Sequence, residues 1–206
     1  MKSFKSFINE EKNSSYTKEM KEWFLQRTKN HIQNVQDFAG LVEKEFPVYA
    51  KGLIKNTLKH DKNKFEEPSL TPYIHITWKY KMKDEGKEYE IPETINDYEA
   101  TEYHVKTNDH HPEYWTDQTE TINKNDRDKL SKLIDGTKMS NRVISEMCSD
   151  WMAMSFEKGG DPRDWAKSNI NVRWKFSKDQ EKMIYKILNK IWEIKENNHE
   201  YKINRF

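Results

Sequence analysis

Apolar residues at three- and four-residue steps dominate this chain, and such a period commits most of it to amphipathic helices that must each bury one face. The longest stripe is Met20, Trp23, Phe24, Arg27, His31, Val35, Phe38, Val42 and Phe46, closed by Pro47, whose ring removes a donor and clashes with the preceding turn. Thr17 is followed three residues later by Met20 and not by Glu or Gln, so no capping box is expected there. Met139, Val143, Met147, Asp150, Trp151 and Met154 predict a core helix that Gly159, Gly160 and Pro162 close. Gln180, Ile184, Ile187, Ile191 and Ile194 predict a last helix, opened by Ser177 and Gln180 at capping-box spacing. The expectation is an all-α fold with long connecting loops: a helical domain over 17–196, a polar lead-in over 1–16 and a polar tail over 197–206.

Between these stripes the pattern is shorter. Tyr49, Leu53, Ile54, Thr57, Leu58 and Asp61 form a second stripe, in which helical steps of three from Leu58 and four from Thr57 turn Asp61 toward the core. Pro72 suits the first turn of a helix carrying Tyr73, Ile76, Thr77 and Tyr80, with His75 off its main stripe. Residues 81–92 read as an exposed loop. A further helix is expected from Glu93 to about Asn108. His104 and His111 would share its face if it ran on, but Pro112 disfavours a helical His111 and marks His110 and His111 as a helix end or a turn. Residues 116–137 read as a lid-like loop with a short helix around Arg127 to Ile134. Arg163 to Phe176 mixes aromatic and basic residues, either to grip a phosphate or stack a base, or as a loop packed on the core.

Composition narrows the class. The 7 Trp, 10 Tyr and 9 Phe argue against disorder, and 36 basic residues against 35 acidic ones leave a net charge of +1, so no global field favours nucleic acid or an anionic membrane. A single cysteine, Cys148, cannot form an internal disulfide. There is no apolar run long enough to span a bilayer, and Glu10, Glu11 and Asn13 interrupt any leader, so a cytoplasmic chain is expected.

The chemistry-bearing residues stand inside the stripes. His31 and Asp150 occupy core-facing positions, Glu146 lies four residues before Asp150, and His60 is followed directly by Asp61. A core histidine satisfied by one hydrogen bond and a solvated His-Asp pair are the plain alternatives. A buried aspartate among Met and Trp, however, needs a compensating charge. The order His31, His60 with Asp61, His104, His111, Asp150 on a helical scaffold resembles the HD-domain superfamily of metal-dependent phosphohydrolases. The run HDKNK at 60–64 is similar to the HD-x-x-K element of its cyclic-dinucleotide phosphodiesterase branch, although that branch's second block is missing here. More closely, HDKNKFEEP at 60–68, ITWKYK at 76–81, HHPEYW at 110–115 and EMCSDWMAMS at 146–155 resemble an uncharacterised family found in phages and bacteria.

The superfamily resemblance implies an HD-like bundle with two divalent transition-metal ions, and imidazole and carboxylate donors suit Mn, Fe, Co, Ni or Zn. His31, His60, Asp61 and Asp150 would hold the first ion, and His104 and His111 the second, with Asp61 bridging. Lys64 is the candidate phosphate contact and Arg173 a second one. Glu146 or His110 would act behind the ligands or shuttle a proton. The expected reaction is hydrolysis of a nucleotide phosphomonoester or phosphodiester by metal-activated water. The expected partner is thus a small phosphorylated substrate, with nucleic acid less favoured and no membrane. The alternatives are a di-iron oxygenase of the same fold and a non-catalytic, phage-encoded binding or inhibitor protein.

Overall fold

A computed structural model describes residues 15–119, 121–122 and 132–197. Among them are eight α-helices: α1 (Lys18–Glu45), α2 (Pro47–Ala50), α3 (Leu53–Thr57), α4 (Leu70–Asp84), α5 (Asp97–Thr107), α6 (Asn141–Lys158), α7 (Pro162–Asn169) and α8 (Lys178–Asn197). Two 3-10 turns, Lys62–Phe65 and Pro112–Trp115, and two short strands, β1 (Ile134–Asp135) and β2 (Trp174–Lys175), complete them. The fold is predominantly all-α, as the periodicity predicts. The strands, which periodicity did not signal, pair in parallel, Ile134 opposite Trp174. No described helix is long and apolar enough to cross a membrane. Most of the polar lead-in and tail, and the expected short helix from Arg127 as far as residue 131, lie outside the described residues.

Helix α1 is the spine. Its 28 residues bury Val35, Phe38, Ala39, Leu41 and Val42 against α6 and α8, where Phe38 stacks on Trp192 with ring centres 6.1 Å apart. Its first turns belong to a second apolar cluster, in which Met20 and Phe24 meet Tyr73 and Ile74 of α4 and Ala100 of α5. His31 and the buried Thr28 and Asn34 lie between the two clusters, so the polar interior of the molecule falls where its apolar core divides.

Several local expectations are corrected. Thr17 does form a capping box: its hydroxyl accepts from the Met20 amide at 3.2 Å, and the Met20 sulfur accepts the Thr17 amide at 3.5 Å, a thioether taking the role usually filled by Glu or Gln. The second stripe is not one helix, because Gly52 adopts a left-handed conformation (φ 79°) between α2 and α3. Ile54 and Leu58 are consequently exposed. Helix α5 starts at Asp97, later than expected, since the Asn96 side chain caps it by accepting from the Glu99 amide at 3.0 Å. Helix α4 runs on to Asp84 into the expected loop. Part of the segment from Arg163 is helical: Asp161 accepts from the Arg163 amide at 2.8 Å and Pro162 opens α7. The expected box before α8 forms, with the Ser177 amide donating to Gln180 Oε1 at 2.8 Å and the Gln180 amide to Ser177 Oγ at 3.2 Å.

Gly136 is a close-packing position next to β1. A Cβ there would lie 2.7 Å from Phe176 Cε1 and 3.3 Å from Pro112 Cβ, in a core that holds Phe176 fixed. Gly136→Ala should therefore destabilise the protein by about 1–3 kcal/mol through overpacking. Thermal unfolding checks it, and an unchanged Tm would show that the 110–115 segment is not pinned against this strand.

Candidate metal centre

The centre is assembled from helices and turns. Helices supply His31 (α1), His104 (α5) and Asp150 (α6), while His60 and Asp61 leave α3 in a turn that sets Asp61 left-handed at φ 56°. This conformation is uncommon outside glycine but tolerated by Asp and Asn. The burial of Asp61 has a different cause from the helical face that the spacing predicts. The helix ends at Thr57, so the left-handed turn, and not a helical face, leaves the aspartate 1% exposed. Likewise α5 stops at Thr107, and His111, in extended conformation, comes back to His104 through a turn.

Asp61 stands at the middle. Its Oδ2 is 3.9 Å from His31 Nε2, and its Oδ1 lies 3.8 Å from His60 Nε2, 3.4 Å from His104 Nε2 and 3.7 Å from His110 Nε2. Asp150 Oδ1 is 3.0 Å from His31 Nε2 and 3.9 Å from His60 Nε2. His111 Nε2 is 3.1 Å from His104 Nε2. His110, expected behind the ligands, thus lies among the donor atoms, while Glu146 lies behind them. Donor atoms of His31, His60 and Asp61, of His60, His110 and Asp150, and of His104, His110 and His111 fall within 4.8 Å of one another, close enough to hold a metal ion. The buried His60 Nε2, Asp61 Oδ1 and His110 Nε2 have no hydrogen-bond partner. Such polar atoms are costly to bury unless something pairs them, and a cation fits all three.

The opposite ring nitrogens are held. Glu157 Oε1 accepts from His31 Nδ1 at 2.9 Å and Glu146 Oε1 from His60 Nδ1 at 3.1 Å, while His104 Nδ1 faces both Asn63 Oδ1 at 3.2 Å and Asn108 Nδ2 at 3.1 Å. On a neutral ring, a proton held on Nδ1 leaves the lone pair on Nε2, the nitrogen that points inward, as in ligating histidines. His31, protonated on both nitrogens without metal, would give up its Nε2 proton when an ion binds. Asn34 donates to Glu157 Oε1 at 3.1 Å, and Asn56 donates to Glu146 Oε2. Glu157 and these asparagines escaped the sequence reading. The available signal was spacing: Glu157 follows Asp150 by two helical turns on α6, Asn34 follows His31 by one, and Asn56 precedes His60 by four residues.

The electrostatics are uneven. Burial alone would lower the His31 pKa, but Asp150 and Glu157 outweigh it and push it up to about 9. Burial lowers His104 and His111 well below the usual imidazole range, and His110 to about 4 with help from the charge of His60. These three are neutral at neutral pH, with lone pairs available to a metal. Burial would raise Asp61, but Lys64, whose Nζ is 2.5 Å from Oδ2, and the surrounding imidazoles hold it well below the usual carboxylate range. Asp150 is likewise held down, against burial, chiefly by His31.

Lys64 borders the cluster. Arg173 is not brought to it: buried, with Nη2 3.3 Å from Glu113 Oε1 and its guanidinium 4.8 Å from the Trp174 ring centre, it is part of the core under the 112–115 turn. His75, expected off the main stripe of its helix, is buried away from the cluster, between Ser15 Oγ (3.2 Å) and Tyr89 Oη (2.7 Å).

Residues 20–192 match the model of a family of unknown function, DUF5662, and the chain belongs to that family. No curated protein and no solved structure matches it. Replacing Glu157 by Gln removes the carboxylate behind His31 while preserving its shape. The variant should fold normally by circular dichroism and bind divalent metal roughly 10-fold more weakly in chelator competition. Unaltered affinity would mean that His31 needs no such backing.

Proposed function

We propose that this member of the family is a metal-dependent phosphohydrolase of HD type, acting on a phosphomonoester or phosphodiester such as that of a nucleotide. The observation that carries the reading is the position of Asp61. Its two carboxylate oxygens have different surroundings: Oδ2 is paired with Lys64 Nζ at 2.5 Å and lies 3.9 Å from His31, while the unpartnered Oδ1 faces His60, His104 and His110. Such a carboxylate is suited to bridge two divalent ions, and the residues around it fit them by donor type and by their unpartnered buried atoms. Bound there, such ions would supply an acidified water for in-line attack on phosphorus and neutralise charge growing on the phosphate oxygens.

The chain's own residues have separable tasks. Asp150 and Asp61 supply negative charge. Glu157 and Glu146 fix the His31 and His60 rings, so that the donor atoms need little reorganisation when substrate arrives. Lys64, 14% exposed on its side chain and beside Asp61, is the cation within reach of a phosphate at the rim. The ligand order in the sequence, similar to that of HD-domain phosphohydrolases, supports the same reading.

Metal-loaded protein should hydrolyse a generic phosphodiester or a nucleotide in a substrate screen. Asp61→Asn keeps the left-handed turn, which alanine would strain, and should abolish both stable metal loading and turnover. Lys64→Ala should retain metal and lose about 10- to 100-fold in kcat/KM, the worth of one charge-assisted contact. Turnover that requires dioxygen and iron would replace hydrolysis by oxidation. Undiminished metal content in Asp61→Asn would remove the bridging role.

A further inference from the structure

The two ends of the centre are chemically unequal. Around His31 and His60 the donors include two carboxylates, Asp61 and Asp150, and both imidazoles are backed by further carboxylates, Glu157 and Glu146. At the other end stand His104, His110 and His111: Asp61 Oδ1 lies 3.4 Å from His104 Nε2, His110 also groups with Asp150 and stands 3.6 Å from Glu146, and His104 is backed by the neutral amides of Asn63 and Asn108. Donors on one tetrahedral ion with bonds of about 2.0–2.1 Å lie about 3.3 Å apart. The separations here are 3.1 Å from His104 Nε2 to His111 Nε2, 3.4 Å from His104 Nε2 to Asp61 Oδ1 and 3.7 Å from His110 Nε2 to Asp61 Oδ1. Two imidazoles facing each other through Nε2 at such a distance, with a His110 donor atom within 4.8 Å of both, are spaced as ligands of one ion.

We propose that His110 joins His104 and His111 as a third imidazole ligand, and that the centre is built for two different metals. Zinc occupies the three-histidine end, and a harder divalent ion such as manganese occupies the carboxylate-rich end. Imidazole-rich sites favour zinc while carboxylate and water favour manganese. The excess of buried carboxylates around His31 and His60 adds to that preference. This inference rests on the two-ion reading above.

The test uses the full chain, stripped of metal and given one equivalent each of zinc and manganese. Elemental analysis should then find one of each per chain, and the manganese resonance spectrum should be that of a magnetically isolated ion. His111→Ala, and the milder His111→Gln, should lose zinc preferentially, whereas Asp150→Asn should lose manganese and keep zinc. Exchange-coupled manganese pairs, or variants at both ends losing the two metals in equal proportion, would overturn the inequality while leaving the hydrolase reading in place. Protein that is folded yet binds neither metal would overturn both. Because the mixed loading is read on the unaltered chain, a variant that fails to fold does not rescue the proposal.

Discussion

The structure depends on keeping a carboxylate, Asp61, charged in its interior. Moving such a group out of water costs several kcal/mol even after relaxation, and its left-handed backbone adds about 1 kcal/mol or more. Compensation is uneven: Lys64 lies 2.5 Å from Oδ2, with the His31 imidazolium 3.9 Å away, while Oδ1, ringed by His60, His104 and His110, has no hydrogen-bond partner. Because none of these partners is local apart from Lys64 and His60, the charge cannot be accommodated until helices distant in sequence have packed. The same constraint explains why the apolar core is divided. A polar cluster this large cannot sit inside one continuous hydrophobic mass, so it takes the seam between the two clusters that α1 spans.

Long elements were readable because their signal is repeated many times. The stripes of α1, α6 and α8 each contain several turns of agreement, and a single misplaced residue does not disturb them. Turns have no such redundancy. The burial of Asp61 follows from one left-handed residue, and the approach of His111 to His104 from a helix that stops at Thr107, neither of which leaves a periodic trace. Helical arithmetic reached the right side of the molecule for Asp61 through a helix that does not extend that far. The thioether cap at Thr17 is a related case: a rule stated by residue type missed a donor and acceptor geometry that methionine also satisfies.

Arg173 illustrates the opposite error. An arginine beside Trp174 in a polar stretch suggests a surface that grips phosphate, but its carboxylate partner, Glu113, is 60 positions away and invisible to any local pattern. Glu113 Oε1 also accepts from Trp174 Nε1 at 3.0 Å, and Trp174 stacks on Trp151 with ring centres 5.3 Å apart. The pair therefore fastens the turn that follows His110 and His111 to the centre of α6. Removing either partner would weaken the compensation of a buried charge, which is why such pairs hold geometry more reliably than they add stability.

Precision at the centre is shared unequally between its donors. His31, His104 and Asp150 are carried by helices packed on several sides, so their positions follow from the core. His60, Asp61, His110 and His111 are carried by turns, whose backbone alone would let them drift. Helix α6 corrects this. Glu146, one turn before Asp150, holds His60 through Nδ1 and stands 3.6 Å from His110 Nδ1, while Glu157, two turns after Asp150, holds His31. One helix thus presents a donor and, above and below it, the carboxylates that orient imidazoles from three other segments. A shift of α6 along its axis would move all of these together, preserving their mutual geometry. A centre made of flexible turns can in this way have the rigidity of the helix behind it.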